Sequence, residues 1–227
     1  MQKNHKKQNK KVIITAGPTI ENIDPVRYIS SRSSGTMGYL IAEAMRDKGF
    51  KVVLISGPVN ISPPEGVMVI CVKTAEEMNR AVKKEIKGSC CIVASAAVSD
   101  FKVQNPSKKK IKKKKQLTLK LVKNVDILAG LKEKKDLVKI GFALETENAV
   151  KNGQKKIKEK GLDLIIVNRL SKTENPFGRD KTKKGEKIKR GYYVLYRDGS
   201  QKRFEGISKK SMSVKIVCEA EKCLREK

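Results

Sequence analysis

The chain has no tryptophan, one histidine and ten other aromatic residues, five Tyr and five Phe, among 227. With so few rings, a base-stacking platform for single-stranded nucleic acid is not visible. The one histidine, His5, lies in a polar basic stretch, so a Ser-His or Cys-His pair would have to draw on that tail. Chemistry therefore has to rest on Lys, Arg, carboxylates, hydroxyls and backbone amides. Long apolar runs are missing as well: nothing approaches the roughly 20 residues that cross a bilayer. The first apolar run, Val12-Ile13-Ile14, is too short for a signal-peptide core. A soluble, cytoplasmic protein without membrane contact is the expectation. The five cysteines are odd in number and never spaced C-x-x-C, which argues against a disulfide framework and a structural zinc site. Cys71, Cys90 and Cys91 fall in β-like apolar runs, where a buried, inert thiol is expected.

Acidic residues are also scarce, 24 against 52 basic ones, which leaves a net charge of +28. Such an excess first suggests nucleic acid, since neutralising phosphates releases counterions. Its distribution points elsewhere. Residues 1–11, 108–115 and 181–190 together hold +17 of it, in a tail and two expected loops. Only ten of the basic residues are Arg, the side chain that reads bases and clamps phosphates bidentately. Lysine bias on solvated loops accounts for the rest, and nucleic acid is not an expected partner.

Beyond a basic, disordered tail at 1–10, strands and helices alternate. Lys11–Ala16 reads as a buried strand, residues 36–48 as a helix stopped by Gly49, and Lys51–Ser56 as a second strand. Further strands are expected at Met68–Val72, Cys90–Ala94, Leu117–Val122, Val138–Ala143 and Leu162–Val167, with helices over 75–87, 125–134 and 147–160. Gly191–Arg197, the Asp198-Gly199 turn and Lys202–Glu205 read as an antiparallel hairpin, followed by a helix from about 208 to 224. The expected fold is α/β: a Rossmann-like three-layer sandwich with a mostly parallel sheet, a lysine-rich flap over about 101–116, and a C-terminal β-hairpin plus helix. One domain, 11–227, holds all of it.

Open α/β sheets bind ligands at the carboxyl ends of their strands. The first such loop runs from Gly17-Pro18-Thr19 to Ser33-Ser34-Gly35-Thr36-Met37-Gly38 at the start of a helix. There, small residues let backbone N–H groups approach an anion. A phosphate cradle and an ordinary Ser N-cap are equally good readings of that spacing. No G-x-G-x-x-G follows the first strand, and the second ends in Ser56-Gly57-Pro58 rather than an acidic residue, so an NAD dehydrogenase is disfavoured. No G-x-x-x-x-G-K-[ST] exists either, which excludes a P-loop enzyme. Ala94-Ser95-Ala96-Ala97-Val98-Ser99-Asp100 combines small residues with a carboxylate, suited to close ligand approach or to a packed strand end capped by Asp100. Lys156 and Lys160, four apart, share one helix face, where solvated lysines are the ordinary case.

Taken in order, nine segments resemble the phosphopantothenoylcysteine synthetase family, whose members act in coenzyme A biosynthesis. They are Ile14–Thr19, Asp24–Ser30, Ser33-Ser34-Gly35-x-Met37-Gly38, Ser56–Val59, Ala96-Ala97-Val98-x-Asp100, Lys110–Lys113, Val122-Lys123-Asn124-x-Asp126-Ile127, Gly141-Phe142-Ala143-x-Glu145-Thr146 and Lys160–Asp163. The resemblance implies a ligase that joins 4′-phosphopantothenate to cysteine through an acyl-nucleotidylate. CTP is favoured over ATP, with Mg2+ accompanying the triphosphate and no ligand cluster for the metal evident. By the same resemblance, Gly17, Ser33, Gly35, Gly38, Ala94, Ser95, Ala96, Asp100, Val125, Asp126, Ile127, Leu128, Phe142, Lys156 and Lys160 bind the nucleotide. Lys110 opens a K-x-K-K flap reaching across a homodimer, and acts on the nucleotide and in catalysis; Arg27 and Ala97 hold the phosphopantothenoyl moiety, and Arg27 acts in catalysis as well. The family places Asn where this chain has Ser31, a position tied to the activated acyl group. Ser31 therefore keeps a catalytic and substrate-binding assignment with a slower cysteine step, because a hydroxyl cannot reproduce an amide's paired donor and acceptor. No decarboxylase half is present, so a monofunctional synthetase or an excised domain is implied, with a separate flavin-dependent decarboxylase as a candidate partner. The competing expectations are a basic nucleic-acid-binding Rossmann-like protein without ligase activity, and a non-catalytic partner subunit.

Overall fold

A computed structural model describes residues 10–170 and 191–227. Chain order begins with β1 (Lys11–Ala16), a small hairpin of β2 (Ile20–Asn22) and β3 (Tyr28–Ser30), α1 (Thr36–Asp47), β4 (Lys51–Ser56) and β5 (Met68–Cys71). It continues through α2 (Ala75–Glu85), β6 (Ser89–Ala94), the stalk strands β7 (Phe101–Val103) and β8 (Leu121–Lys123), and a single 3-10 turn at Ala129–Leu131. Then come β9 (Val138–Glu145), α3 (Ala149–Lys160), β10 (Leu164–Arg169), β11 (Gly191–Tyr196), β12 (Gln201–Glu205) and α4 (Lys209–Glu226).

Sequence chemistry explains the boundaries. Thr74 caps α2 by accepting from the N–H of Glu77, and Ser208 caps α4 by accepting from Ser211. Gly49 and Gly161 follow α1 and α3 with φ of 83° and 62°, a left-handed turn that glycine adopts without strain.

The main sheet runs β12-β11-β10-β9-β6-β1-β4-β5, parallel from β10 to β5 and antiparallel through β11 and β12. Alternate side chains of each strand feed different layers. Val12, Ile14, Leu54, Val93, Ile140 and Ile166 pack with Ile41 and Met45 of α1 and Ile216 of α4. On the opposite face Ile13, Val53, Ile55 and Ile92 meet Met78 and Val82 of α2, while Ile165 and Val167 meet Ile157 of α3. Both faces are covered, so the three-layer α/β sandwich with its hairpin and final helix is the fold.

Three local expectations change. Leu117–Val122 does alternate like a strand, but only Leu121–Lys123 pairs, and with Phe101–Val103 in the stalk of the flap rather than in the main sheet. The helix over 125–134 shrinks to one 3-10 turn, because the Asp126 carboxylate takes the N–H of Ala129 at 3.0 Å and Gly130 follows. Cys91 is buried, but Cys90 is half-buried and Cys71 exposed, since Cys71 ends the edge strand β5. His5 and the basic run at 181–190 lie outside the described residues.

Candidate functional site at the carboxyl edge of the sheet

In chain order the parallel strands read third, second, first, fourth, fifth, sixth across the sheet, so the direction of winding reverses between β1 and β6. A crevice opens at such a reversal, outside the carboxyl ends of the strands. Here the two flanking loops are stitched together: Ala97 N–H donates to Gly17 O at 2.8 Å, and Thr19 N–H to Ala97 O at 3.2 Å. Ser95 Oγ donates to Thr15 O at 2.7 Å, so that its hydroxyl closes the floor of the crevice.

Helix α1 points its amino end into this region. Its N-cap is Gly35, at φ 76°, with no side-chain capping bond, so the Ser N-cap alternative does not hold. Ser33 and Ser34 accept from the nearby N–H groups of Gly35 and Thr36, at 3.3 and 3.4 Å, and the Ser34 hydroxyl also bonds the Thr36 hydroxyl at 2.8 Å. Gly38 has another role: a Cβ there would lie 2.5 Å from Ala16 Cβ and 2.6 Å from Ser95 Oγ. It lets the helix press onto β1 and β6, which sets where the first-turn amides point.

The far side of the crevice carries paired charges. Lys160 Nζ lies 3.0 Å from Asp126 Oδ2, joining α3 to the Val125–Leu128 loop. Asp126 is held below the ordinary carboxylate range by the N–H of Ala129 and by Lys160, which outweigh its partial burial. Lys156 Nζ meets Glu145 Oε1 at 2.6 Å, and Asn152 Nδ2 donates to Oε2 of the same carboxylate at 2.8 Å. Ile127 is buried beneath this loop and Leu128 half-buried, whereas Phe142 packs toward α1 and α4 on the other face. Asp100 is exposed and its carboxylate makes no side-chain bond among the described residues.

A second cluster forms around the flap. Arg27 Nε and Nη2 donate to Asp24 Oδ2 at 3.1 and 2.5 Å, and Nη2 also donates to Ile111 O at 2.9 Å. Between this loop and the flap lies a cavity of about 290 Å³, lined by Arg27, Lys110, Lys112, Lys113 and Lys114 together with Val26, Ile111 and Leu117. Five cations and no carboxylate line it, alongside three apolar side chains. Ser31 is exposed between this hairpin and α1.

Apart from Phe142 and Ser31, the expected residues fall into two groups. Gly17, Ser33, Gly35, Gly38, Ala94, Ser95, Ala96, Ala97 and Asp100 surround the winding reversal, with Val125, Asp126, Ile127, Leu128, Lys156 and Lys160 beyond it. Arg27 and Lys110 share the flap cavity. Sequence reasoning assigned no role to Glu145 or Asp24, although both stand in quoted segments. A carboxylate four residues short of a lysine-rich helix is a signal for the first, and the Asp-x-x-Arg spacing for the second.

Such an arrangement defines a class: doubly wound α/β domains that hold ligands where the winding of the sheet reverses. The sequence profile described as DNA/pantothenate metabolism flavoprotein C-terminal domain matches residues 7–224, and the chain belongs to that family. It is 38% identical over 215 residues to the Bacillus subtilis coenzyme A biosynthesis bifunctional protein CoaBC, covering 93% of this chain and 51% of that protein. To the Escherichia coli (strain K12) protein of the same name it is 43% identical over 176 residues, covering 74% and 43%. The chain therefore spans about half the length of the curated relatives it matches. The solved C-terminal domain of a CoaBC protein superimposes with a TM-score of 0.80 at 31% identity, covering 97% of this chain and 98% of that one. A Cab2 mutant solved in complex with phosphopantothenate-cysteine gives a TM-score of 0.74 at 17% identity over 96% and 89%, a likeness of fold. Among the described residues no helix is long and apolar enough to cross a membrane.

Proposed function

We propose that the chain is the ligase that activates the carboxylate of 4′-phosphopantothenate with a nucleoside triphosphate and joins it to cysteine. The observation that carries this reading is the pair of cationic sites along one edge of the sheet. One is the α1 amino end, which suits a triphosphate, with Lys156 and Lys160 beyond it held by Glu145 and Asp126; the other is the five-cation, partly apolar flap cavity, which suits a phosphate on an aliphatic body. Membership in the family and the 38–43% identity to CoaBC proteins support it, as does the ligand of the Cab2 complex.

In the first step a substrate carboxylate oxygen forms a bond to the α-phosphorus while the bond to the β-phosphate oxygen breaks and pyrophosphate leaves. In the second, the cysteine amine bonds to the acyl carbon, the acyl–oxygen bond breaks, and the nucleoside monophosphate departs as the amine loses a proton. Neither step needs a histidine. In-line phosphoryl chemistry depends on positioning and on cations facing the developing charge. Lys110 and Arg27 lie on the flap cavity, and the first-turn amides of α1 can donate to the triphosphate.

Among the described residues no three His, Cys, Asp or Glu side chains converge on a metal site. The chain fits a magnesium ion carried by the triphosphate rather than a resident one, since Mg2+ is commonly held by one or two carboxylates plus substrate phosphates. Asp100 is the carboxylate at the crevice that is free to reach such an ion, which would neutralise phosphate charge. CTP is the favoured nucleotide. A homodimer in which the flap serves the partner's site also belongs to this reading. It is supported by Val26, Tyr28, Phe101, Leu117 and Leu121, which make five of the eight exposed large apolar side chains among the described residues and all sit on the two small hairpins and the flap.

The direct test is to quench a reaction of the chain with CTP and phosphopantothenate, without cysteine, and to look by mass spectrometry for the acyl-CMP. Its build-up, and its consumption on adding cysteine, is the expected result. Pyrophosphate release with no acyl adduct would refute the pathway.

A further inference from the structure

Asp24 has no place in the ligand contacts above, yet its carboxylate is 2% exposed and accepts five hydrogen bonds. Oδ1 takes the backbone N–H groups of Val26 and Arg27 at 2.8 and 2.9 Å. Oδ2 takes Arg27 Nε and Nη2, at 3.1 and 2.5 Å, and the N–H of Ile111 at 3.1 Å. Ile111 is the apolar residue inside the flap's lysine run, 87 residues further along the chain. Its carbonyl is gripped as well, by Arg27 Nη2 at 2.9 Å, and Ser107 N–H donates to Ile23 O at 2.9 Å.

A carboxylate that only shaped its own turn would need the two local N–H groups and nothing from the flap. Asp24 instead ties one flap residue, Ile111, at both its N–H and its C=O, directly and through Arg27. Nη1 of the guanidinium has no hydrogen-bond partner among the described residues, and Arg27 lines the cavity together with Lys110.

We propose that Asp24 is a positioning residue that locks Arg27 and the Lys110–Lys113 flap into one unit, so that guanidinium and lysines meet the anionic substrate together. The inference rests on the ligase reading for its kinetic consequence, but the lock itself can be read without catalysis. If the flap serves a partner's site, it carries its own Arg27 there.

Hydrogen exchange of the intact protein, followed on the peptide spanning 107–117, tests the lock. Asp24→Asn keeps an oxygen for the local turn and turns an NH2 group toward Arg27 and Ile111, where acceptors are needed. Ile111→Pro removes the flap N–H that Asp24 accepts, and also fixes φ at 111 and restricts Lys110 before it. Both should speed exchange across 107–117 at least tenfold while the main-sheet peptides keep their protection. Both should also lower kcat/KM for phosphopantothenate on the order of a hundredfold, the scale of a one-ångström misplacement of reacting groups. Because the two changes cut the same connection, the double variant should be no worse than Asp24→Asn alone. Unchanged flap exchange in Asp24→Asn, or losses that multiply in the double variant, would overturn the proposal. A wild-type chain that releases no pyrophosphate sinks the ligase reading instead, and the exchange result then judges the lock alone.

Discussion

Gly38→Ala is the sharpest perturbation of the crevice. The new methyl would stand 2.5 Å from Ala16 Cβ, 2.6 Å from Ser95 Oγ and 3.2 Å from Ala16 Cα. Ordinary carbon contacts begin near 3.5–4.0 Å, so the first turn of α1 has to back away by roughly 1 Å or the Ser95 hydroxyl has to leave Thr15 O. Overpacking of this kind costs about 1–3 kcal/mol, partly offset by the better helix propensity of Ala. The larger effect falls on the anion site, because a shift of about 1 Å in positioning groups can cost on the order of a hundredfold in rate. The assay pairs a thermal melt with the nucleotide dependence of pyrophosphate release. A fall in melting temperature of a few degrees, with kcat/KM for nucleotide lowered ten- to a hundredfold, is the expected outcome. Gly130→Ala is the control, since its new Cβ meets nothing within 4 Å. If Gly38→Ala lost stability and left nucleotide kinetics untouched, the α1 amino end would not be where the triphosphate sits.

Ser31→Asn restores the family's residue and should speed consumption of the activated acyl intermediate in single-turnover assays; an unchanged rate would remove Ser31 from the account. Lys139, 1% exposed near the amino end of β9, donates to the carbonyls of Leu131, Lys132 and Lys134 at 3.2, 2.8 and 3.1 Å. Lys139→Met strands those oxygens and should cost roughly 3 kcal/mol, read as a lower urea midpoint with kcat/KM preserved, because the change lies at the edge away from the crevice. The Arg27 guanidinium beside Asp24 holds its carboxyl well below the usual carboxylate range. A depressed folded pKa gives stability that is present above the unfolded value of about 3.9 and is lost as pH falls toward the folded value. The difference in urea midpoint between wild type and Asp24→Asn should therefore be constant from pH 5 to 7 and shrink only below about pH 4; a constant difference down to pH 2 would contradict this.

Local pattern carried the sheet. Buried parallel strands such as Val12–Ala16 and Val52–Ser56 are apolar runs interrupted only by Thr15 and Ser56, and helices such as α2 show their caps and periodicity openly. Pattern failed where two structures share a signature: Leu117, Leu119 and Leu121 alternate as a sheet strand would, yet the chain turns back onto Phe101–Val103. The Gly-Ser loop is legible as a candidate anion site, but the missing side-chain cap of α1 is a property of the folded loop, where Gly35 takes the N-cap position. The links from Asp24 to Ile111 and from Lys156 to Glu145 were invisible, because pairing across 87 or 11 residues leaves no periodic trace when each member alone reads as a surface charge. The +28 charge became clearer in the same way, since part of it lines one cavity without a single carboxylate.

The most direct measurement of the central claim is pyrophosphate release by the wild-type chain from CTP and phosphopantothenate, with and without cysteine. The account predicts about one equivalent per site without cysteine and continuous turnover once cysteine is added. No pyrophosphate from CTP or ATP under either condition, together with tight salt-dependent binding to DNA, would contradict it.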